Sequence, residues 1–151
     1  MTGRKIGVYG MGEIGRKIAA RCAAFESDVA YHSRSRHDVP YAYHDSLSSL
    51  AEWADILMIA VRAGADTRHI INADILKKLG PQGTVVNISR GSVIDQAALV
   101  AALEGNVIAG AGLDVYEREP HAPDALTKLA NVVLTPHIGG HTNEAQAAMQ
   151  D

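Results

Sequence analysis

The sequence predicts an α/β fold in which helices cover both faces of a doubly wound parallel sheet. Short apolar runs alternate with segments of helical periodicity along the whole chain, which is typical of strands joined by crossover helices. Such crossovers make neighbouring strands parallel, and their right-handedness restricts how the sheet can be wound. The 151 residues are 47% hydrophobic but only 5% aromatic, so aliphatic side chains must form the core. We therefore expect one domain over residues 1–151.

Six apolar runs are predicted to form the strands, at residues 5–9, 28–32, 55–60, 84–88, 107–113 and 132–134. The first helix should turn an apolar face to the sheet and a basic face to solvent. The apolar face consists of Ile14, Ile18, Cys22 and Phe25, and the basic face of Arg16, Lys17 and Arg21. A second helix should begin after the N-cap Asn72 and stop at Gly80, and a third should run from Asp95 to Gly105. A last helix is expected over residues 143–150.

A glycine-rich turn joins the first predicted strand to the first predicted helix. Residues 10–15 read Gly-Met-Gly-Glu-Ile-Gly, the GxGxxG spacing of dinucleotide-binding loops. Gly10 would permit the tight turn, Gly12 would let the backbone approach a pyrophosphate, and Gly15 would let the helix pack close to the strand. The helix N-terminus offers free N–H groups and a positive dipole end to phosphates. This context predicts a Rossmann-type dinucleotide site rather than a turn without a ligand.

The end of the second strand indicates which dinucleotide is bound. An NAD site usually has Asp or Glu there, which accepts hydrogen bonds from the adenosine ribose. This chain has Ser33 at that position, followed by Arg34, Ser35 and Arg36. Ser33 removes the charge that would repel a 2′-phosphate, and the arginines can supply cations with bidentate geometry. We expect the site to bind NADP(H), with NAD(H) as the alternative. If these arginines bind no ligand, they simply form a solvated surface turn.

Charge and composition exclude several other classes of protein. The formal net charge of −3 gives no basic field for nucleic acid. No apolar run approaches the roughly 20 residues that span a bilayer, so we expect no membrane association. Cys22 is the one cysteine of the sequence, which rules out an intrachain disulfide and agrees with a reducing compartment. We expect a cytoplasmic protein without a metal site.

Polar residues follow three of the later strands, at the sheet edge where open α/β folds bind ligands. The segments are Asn-Ile-Ser-Arg-Gly at 87–91, Gly-Leu-Asp-Val-Tyr-Glu-Arg-Glu-Pro at 112–120 and Thr-Pro-His-Ile-Gly-Gly at 135–140. Taken singly, each has a simpler explanation: the arginine is a surface charge, the histidine after Thr-Pro is a loop residue, and Glu-Pro is a turn. Oxidation of a 2-hydroxy acid, however, needs a cation for the carboxylate and a base for the hydroxyl. The joint order of these residues behind a dinucleotide loop therefore indicates a catalytic set.

The four motifs together resemble those of the D-isomer-specific 2-hydroxyacid dehydrogenases, in order and in spacing, over essentially the whole chain. The sequence His-Ser-Arg-Ser at 32–35 and the loop at 60–63 are similar to the glyoxylate/hydroxypyruvate reductase branch. The resemblance implies hydride transfer between NADP(H) and a small 2-oxo or 2-hydroxy acid. Glu119 counts against the formate dehydrogenase branch, where a glutamine is expected beside the histidine. A phosphoglycerate dehydrogenase stays an alternative, and the sequence does not name the acid.

The resemblance also implies a role for each site residue. Arg90 would bind the carboxylate and the 2-oxo oxygen of the substrate, and His137 would act as acid and base while Glu119 holds it charged for reduction. Asp114 would orient the carboxamide of the cofactor. The predicted cofactor-binding residues are Gly10, Gly12, Glu13, Ile14, Gly15, Ser33, Arg34, Ser35, Val61, Arg62, Ala63, Ile88, Ser89, Asp114, His137 and Gly139. No catalytic role is expected for His32, His44, His69, His121 or His141, and the role of Thr67 stays open.

Members of this family are expected to be about twice as long as this chain, because they add a substrate-binding domain. Closure of two domains would exclude water from the reaction, so we expect this chain to bind cofactor with weak or no turnover. The resemblance is compatible with a homodimer. A different class of function is a dinucleotide-sensing interaction module, like the corepressor relatives of the family. The presence of Arg90, Glu119 and His137 together favours the enzyme.

Overall fold

A computed structural model describes residues 2–148 of the chain. Its strands are β1 (Lys5–Tyr9), β2 (Asp28–His32), β3 (Ala42–Tyr43), β4 (Ile56–Ile59), β5 (Thr84–Asn87), β6 (Gly110–Leu113) and β7 (Val132–Leu134). Its helices are α1 (Glu13–Ala24), α2 (Leu47–Trp53), α3 (Ala73–Leu79), α4 (Gln96–Glu104), α5 (Asp124–Thr127) and α6 (Asn143–Ala148), with single 3₁₀ turns at Ala65–Thr67 and Gly91–Val93. The predicted α/β class is confirmed.

All these strands form one parallel sheet in the order β3-β2-β1-β4-β5-β6-β7. The first strand lies inside the sheet, and its last residue, Tyr9, pairs with His32 on one side and with Ile59 on the other. The order reverses at β1, because the chain adds β2 and β3 on one side and then returns to add β4 on the other. At such a switch point the loops after the two central strands diverge and leave a crevice at the carboxyl edge of the sheet.

Helices lie on both faces of the sheet, as predicted. On one face, α1 packs against β1 and β2 around a buried cluster of Ile6, Val8, Met11, Ala19, Cys22 and Tyr31. On the other face, α2, α3 and α4 contribute Leu50, Leu76 and Leu99 to a larger cluster that includes Leu57 and Val85 of the central strands. Burial of each such side chain contributes roughly 1.5–3 kcal/mol. The two clusters thus pack against opposite faces of the sheet beneath the crevice.

Side-chain caps fix the start of three helices. The side-chain oxygens of Ser46, Asn72 and Asp95 accept backbone N–H groups of α2, α3 and α4 at 3.0–3.1 Å. Asn72 and Asp95 are the caps that the sequence predicts, and each such cap contributes about 1 kcal/mol. Helix α1 differs, because it begins after Gly12 and no side chain caps it.

Three predicted strands are shorter in the structure. The predicted strand 107–113 begins only at Gly110, because the N–H groups of Val107 and Ile108 still bond to the carbonyl of Ala102 in α4. Asn106 turns the chain there with a positive φ of 52°. The predicted strands 55–60 and 84–88 shorten to Ile56–Ile59 and Thr84–Asn87, because strand pairing does not reach the loops at their ends.

The predicted buried face of α1 is wrong at both of its ends. Ile14 is 58% exposed and Phe25 is 62% exposed, whereas the residues buried within the helix are Gly15, Ala19 and Cys22. Ile14 lies in the first turn and borders the crevice rather than the sheet. Phe25 lies beyond the last turn as the C-cap residue.

The sequence did not predict β3, α2 or α5, because elements of two to seven residues are too short to show a clear period. The last predicted helix, 143–150, is present as Asn143–Ala148, and residues 149 and 150 lie outside the described residues. None of the described helices has the length and apolar character needed to cross a lipid bilayer.

Candidate functional site

A cavity of about 570 Å³ opens at the carboxyl edge of the sheet, at the switch point between β1 and β4. Its walls come from the loops after β1, β4 and β5, and they consist of Gly12, Glu13, Ile14, Ala60, Val61, Arg62, Ala63, Ile88, Ser89 and Arg90. The sequence predicts all of these except Ala60 as cofactor-binding or catalytic residues. The fold therefore brings three separate predicted segments to one cavity.

The three glycines of the turn after β1 have different surroundings. Gly10 has φ of 101°, and a Cβ there would lie 2.7 Å from the carbonyl oxygen of Ala60. A Cβ on Gly15 would collide with the carbonyl of Gly10, so this residue lets α1 approach the turn. A Cβ on Gly12 would meet no atom within 4 Å. The protein itself thus requires Gly10 and Gly15, whereas Gly12 leaves free space at the cavity.

The start of α1 suits an anionic ligand. Its first backbone N–H groups, at Glu13, Ile14 and Gly15, have no side-chain cap, and the N–H of Arg16 is the one that bonds to Gly12 O, at 2.9 Å. Uncapped N–H groups and the positive end of a 12-residue helix favour phosphate. Ile14 and Ile88 add exposed apolar surface to the same cavity. These donors and apolar side chains fit a dinucleotide, which has a pyrophosphate and flat rings.

The turn after β2 presents an exposed cation. Ser33 is buried, and its hydroxyl donates to the carbonyl of Ser35 at 2.6 Å. Arg36 lies over the ring of Tyr43, 4.8 Å from its centroid. The side chain of Arg34 is exposed, and within residues 2–148 its guanidinium has neither a hydrogen bond nor an ion pair. Of the two arginines that the sequence offers for a 2′-phosphate, Arg34 is therefore the one free to bind it.

A buried asparagine fixes the segment that carries Arg90. The side chain of Asn87 donates to the carbonyl of Arg90 and accepts from the N–H of Ser89, both at 3.0 Å. The hydroxyl of Ser89 donates to the carbonyl of Val61, which ties this segment to the loop after β4. Asn87 stands in the sequence motif, but the motif does not indicate a role for it. The two hydrogen bonds from its side chain to the backbone cannot be predicted from the residue types alone.

The loop after β4 is closed by Thr67, whose role the sequence leaves open. Its hydroxyl donates to the carbonyl of Arg62 at 3.1 Å and accepts from the N–H of Gly64 at 2.9 Å. Thr67 therefore shapes the turn that presents Val61, Arg62 and Ala63 to the cavity.

His137 and Glu119 form the pair that the sequence predicts. His137 Nδ1 donates to Glu119 Oε2 at 2.6 Å, and the N–H of Tyr116 donates to Glu119 Oε1 at 3.2 Å. The hydrogen bond from His137 holds the pKa of Glu119 below its ordinary value, helped by the Tyr116 N–H and by the charges of His137 and Arg90, against a smaller opposing effect of burial. Glu119 therefore stays a carboxylate that accepts the hydrogen bond from Nδ1, which leaves Nε2 of His137 for a ligand.

Asp114 organises the loop that carries His137. The residue is 8% exposed, and its carboxylate accepts hydrogen bonds from the Thr135 hydroxyl at 2.5 Å and from the N–H groups of Ile138 and Gly139 at 2.9 Å. Burial by itself raises the pKa of Asp114, but these bonds and the charge of His137 outweigh it and lower the pKa. The predicted contact of Asp114 with a cofactor carboxamide stays a prediction. Sequence reasoning missed Thr135, although it stands in the quoted motif.

Replacing Asp114 by asparagine is expected to destabilise the fold by about 1–3 kcal/mol at pH 7, since an amide cannot accept all three bonds. The pKa of Asp114 is lower in the folded chain, so its stabilising contribution is complete above the unfolded pKa of about 3.9 and is lost as the pH falls through the folded pKa. Urea unfolding at pH 7 and pH 3 measures this. The asparagine variant should lose less stability over that range than the parent, and an equal loss would contradict the assignment.

Comparison with known proteins identifies similar chains. The family model described as D-isomer specific 2-hydroxyacid dehydrogenase, NAD binding domain, matches residues 1–139. The chain is 43% identical over 151 residues to hydroxyphenylpyruvate reductase of Plectranthus scutellarioides, covering 99% of this chain and 48% of that protein. It is 42% identical, with the same coverage, to a glyoxylate/hydroxypyruvate reductase of Arabidopsis thaliana. The chain thus spans about half the length of the curated relatives that it matches.

Solved structures agree with these relatives. The NADPH-dependent glyoxylate/hydroxypyruvate reductase of Sinorhizobium meliloti, in complex with NADP and malonate, has 45% identity and a TM-score of 0.95, covering 99% of this chain and 47% of that one. D-mandelate dehydrogenase of Rhodotorula graminis has 31% identity and a TM-score of 0.95, with 99% and 45% covered. Both solved structures therefore match this chain over nearly its whole length.

Proposed function

We propose that this chain, which belongs to the D-isomer-specific 2-hydroxyacid dehydrogenase family, is the cofactor-binding domain of an NADP(H)-dependent reductase of small 2-oxo acids such as glyoxylate or hydroxypyruvate. One observation carries the proposal. The hydrogen-bonded His137–Glu119 pair and Arg90 lie at the sheet edge where the dinucleotide cavity opens. Nothing in residues 2–148 or in the relatives named above favours a dinucleotide-sensing module instead.

The described residues can perform the proton chemistry of such a reduction. A bound nicotinamide dinucleotide supplies the hydride. Arg90 holds the carboxylate of the acid by charge-assisted hydrogen bonds. His137 gives the proton on Nε2 to the carbonyl oxygen as the alkoxide forms, and Glu119 stabilises the charged ring before that transfer. In the oxidation direction, neutral His137 takes the hydroxyl proton.

We propose that the rest of the substrate site comes from a second domain. The side chains of His137 and Glu119 are 41% and 33% exposed, so this chain by itself does not exclude water from them. The relatives named above are about twice as long. The oligomeric state that we propose is a homodimer and the compartment is the cytoplasm. Light scattering and cell fractionation test these two points.

The test has two parts. Titration of the folded chain with NADPH, followed by nicotinamide fluorescence, should show binding, and folded chain that does not bind would contradict the proposal. Turnover requires a hybrid in which this chain replaces the matching part of the S. meliloti reductase, a replacement that 45% identity and a TM-score of 0.95 support. The hybrid should consume NADPH with glyoxylate or hydroxypyruvate, whereas the 151-residue chain alone should show weak or no turnover.

The chain is expected to bind NADPH more tightly than NADH, because Arg34 is an exposed cation beside Ser33 and no carboxylate repels the 2′-phosphate. Replacing Arg34 by alanine should weaken NADPH binding about tenfold and leave NADH binding unchanged, which corresponds to about 1.4 kcal/mol for one charge-assisted contact. Fluorescence titration with both cofactors measures the ratio. Arg36→Ala is the matched control and should change the ratio less, since Arg36 lies over Tyr43. Equal affinities in the parent chain would contradict this preference.

A further inference from the structure

A second histidine–glutamate pair lies outside the residues assigned above. His69 Nε2 and Glu117 Oε1 are 2.5 Å apart, and the two side chains are 36% and 28% exposed. The residues are 48 positions apart in the chain and belong to different loops, His69 to the loop between β4 and α3 and Glu117 to the loop between β6 and α5. Sequence reasoning gave His69 no role, and Glu117 entered only as one letter of a motif.

The pair joins three loops rather than two. The N–H of His69 donates to the carbonyl of Ser92 at 2.8 Å, in the turn that follows Arg90. The glycine before it, Gly91, has no room for a Cβ, because the peptide between Tyr116 and Glu117 lies against its Cα. The loops after β4, β5 and β6 therefore meet at this point, and we call His69, Gly91, Ser92 and Glu117 the loop junction.

Each loop of the junction also carries part of the candidate site. The loop after β4 presents Arg62 to the cavity, and the loop after β5 presents Arg90. The loop after β6 carries Glu119, whose Oε1 accepts from the N–H of Tyr116, the neighbour of Glu117. A continuous series of contacts thus leads from His69 through Glu117 and Tyr116 to Glu119 and then to His137.

The backbone of His69 supports a specific rather than incidental contact. Among the described residues, the non-glycine positions with positive φ are Glu26, His69, Asn106 and His137. Two of these are the histidines of the two histidine–glutamate pairs. Left-handed backbone costs an ordinary residue about 1 kcal/mol or more and persists where surrounding contacts hold it. In His69 those contacts are the bonds to Ser92 and Glu117.

We propose that His69 and Glu117 are positioning residues, which hold the loop after β6 so that Glu119 meets His137 in line with Arg90. This inference rests on the proposed function, since it assigns the pair to the same reaction. Neither residue touches the reacting atoms. Loss of the pair should leave the cavity and the sheet intact but should loosen the contact between Glu119 and His137.

The test uses the 151-residue chain itself and two NMR measurements. In His69→Ala and in Glu117→Gln, the Glu119 carboxyl carbon should titrate at a higher pH than in the parent, because its hydrogen bond to His137 is less populated. The N–H of Tyr116 should exchange with solvent roughly fivefold faster, which is the effect of losing a partly exposed ion pair. His69→Gln should restore both values, since a glutamine amide can donate to Glu117 from the position of Nε2.

A control and a contrary result separate the alternatives. Glu52→Gln removes another side-chain ion pair, that with Lys78, and should change neither value. If Glu119 and the Tyr116 N–H behave as in the parent when the His69–Glu117 pair is broken, the pair is only a surface contact and the proposal is overturned. NADPH titration of the parent chain is judged separately. If the parent chain does not bind NADPH, the proposed function is wrong. The titration of Glu119 would still show whether His69 and Glu117 position that residue.

Discussion

Replacing His137 by alanine is expected to reduce the turnover number of the hybrid reductase by roughly 10²–10⁴-fold, the usual contribution of a general acid. The reason is geometric: Nδ1 is bound by Glu119, so Nε2 is the nitrogen that can transfer a proton to the substrate. NADPH affinity should fall much less than the turnover number, because His137, although also predicted to contact the cofactor, is not among the residues that form the cavity wall. Stopped-flow measurement of NADPH oxidation with glyoxylate gives both quantities.

Two variants control this prediction. His137 has a positive φ of 56°, so His137→Asn is included, since asparagine tolerates that backbone and cannot act as the acid. His121→Ala removes an exposed histidine from the loop after β6 and should leave the turnover number unchanged. Turnover of His137→Asn equal to that of the parent would refute the role of His137 as the acid.

Replacing Gly12 by valine is expected to weaken NADPH binding by at least about 100-fold, or about 2.7 kcal/mol. The branched side chain would fill the open space beside the start of α1, where a pyrophosphate needs contact with the backbone. The fold should survive, because no protein atom lies within 4 Å of that Cβ and the backbone angles are extended. Loss of the glycine N-cap should cost no more than about 1 kcal/mol.

Gly15→Ala is the matched comparison, because its single added carbon would collide with the carbonyl of Gly10. It should lower stability by about 1–3 kcal/mol, as overpacking usually does. Urea unfolding and NADPH titration of both variants separate the two effects. A stable Gly12→Val chain that binds NADPH as well as the parent does would show that the ligand does not approach Gly12.

The sequence was most informative where a local pattern determines structure. The spacing of Gly10, Gly12 and Gly15 identified the turn and the cavity, and the caps Asn72 and Asp95 fixed the starts of two helices. The order and spacing of the family motifs then indicated Arg90, Glu119 and His137 as the catalytic residues. The structure brings these three residues to one edge of the sheet. Their roles in catalysis stay predictions.

Contacts between distant segments were beyond sequence reasoning. Nothing in the residue pattern shows that Asn87 bonds back to Arg90, or that His69 meets a glutamate 48 positions away. Ile14 was assigned to the core because periodicity describes a helix face but not what lies opposite it. In the structure the first turn of α1 extends past the sheet, so Ile14 borders the cavity.

The position of β1 inside the sheet also bears on the order in which the strands can pair while the chain is being synthesised. Every later strand pairs with one that has already been synthesised: β2 and β4 pair with β1, and β3, β5, β6 and β7 each pair with the strand that precedes them in the chain. Parallel pairing is slow to form when its partners are far apart in sequence, and β4 has the most distant partner, since its Ile56 pairs with Ile6 of β1. Because β7 and the His137 loop follow β1, β4 and β5 along the chain, a growing chain contains every residue that lines the cavity before it contains His137. The residues of the cofactor cavity therefore all precede the histidine that we propose as the acid.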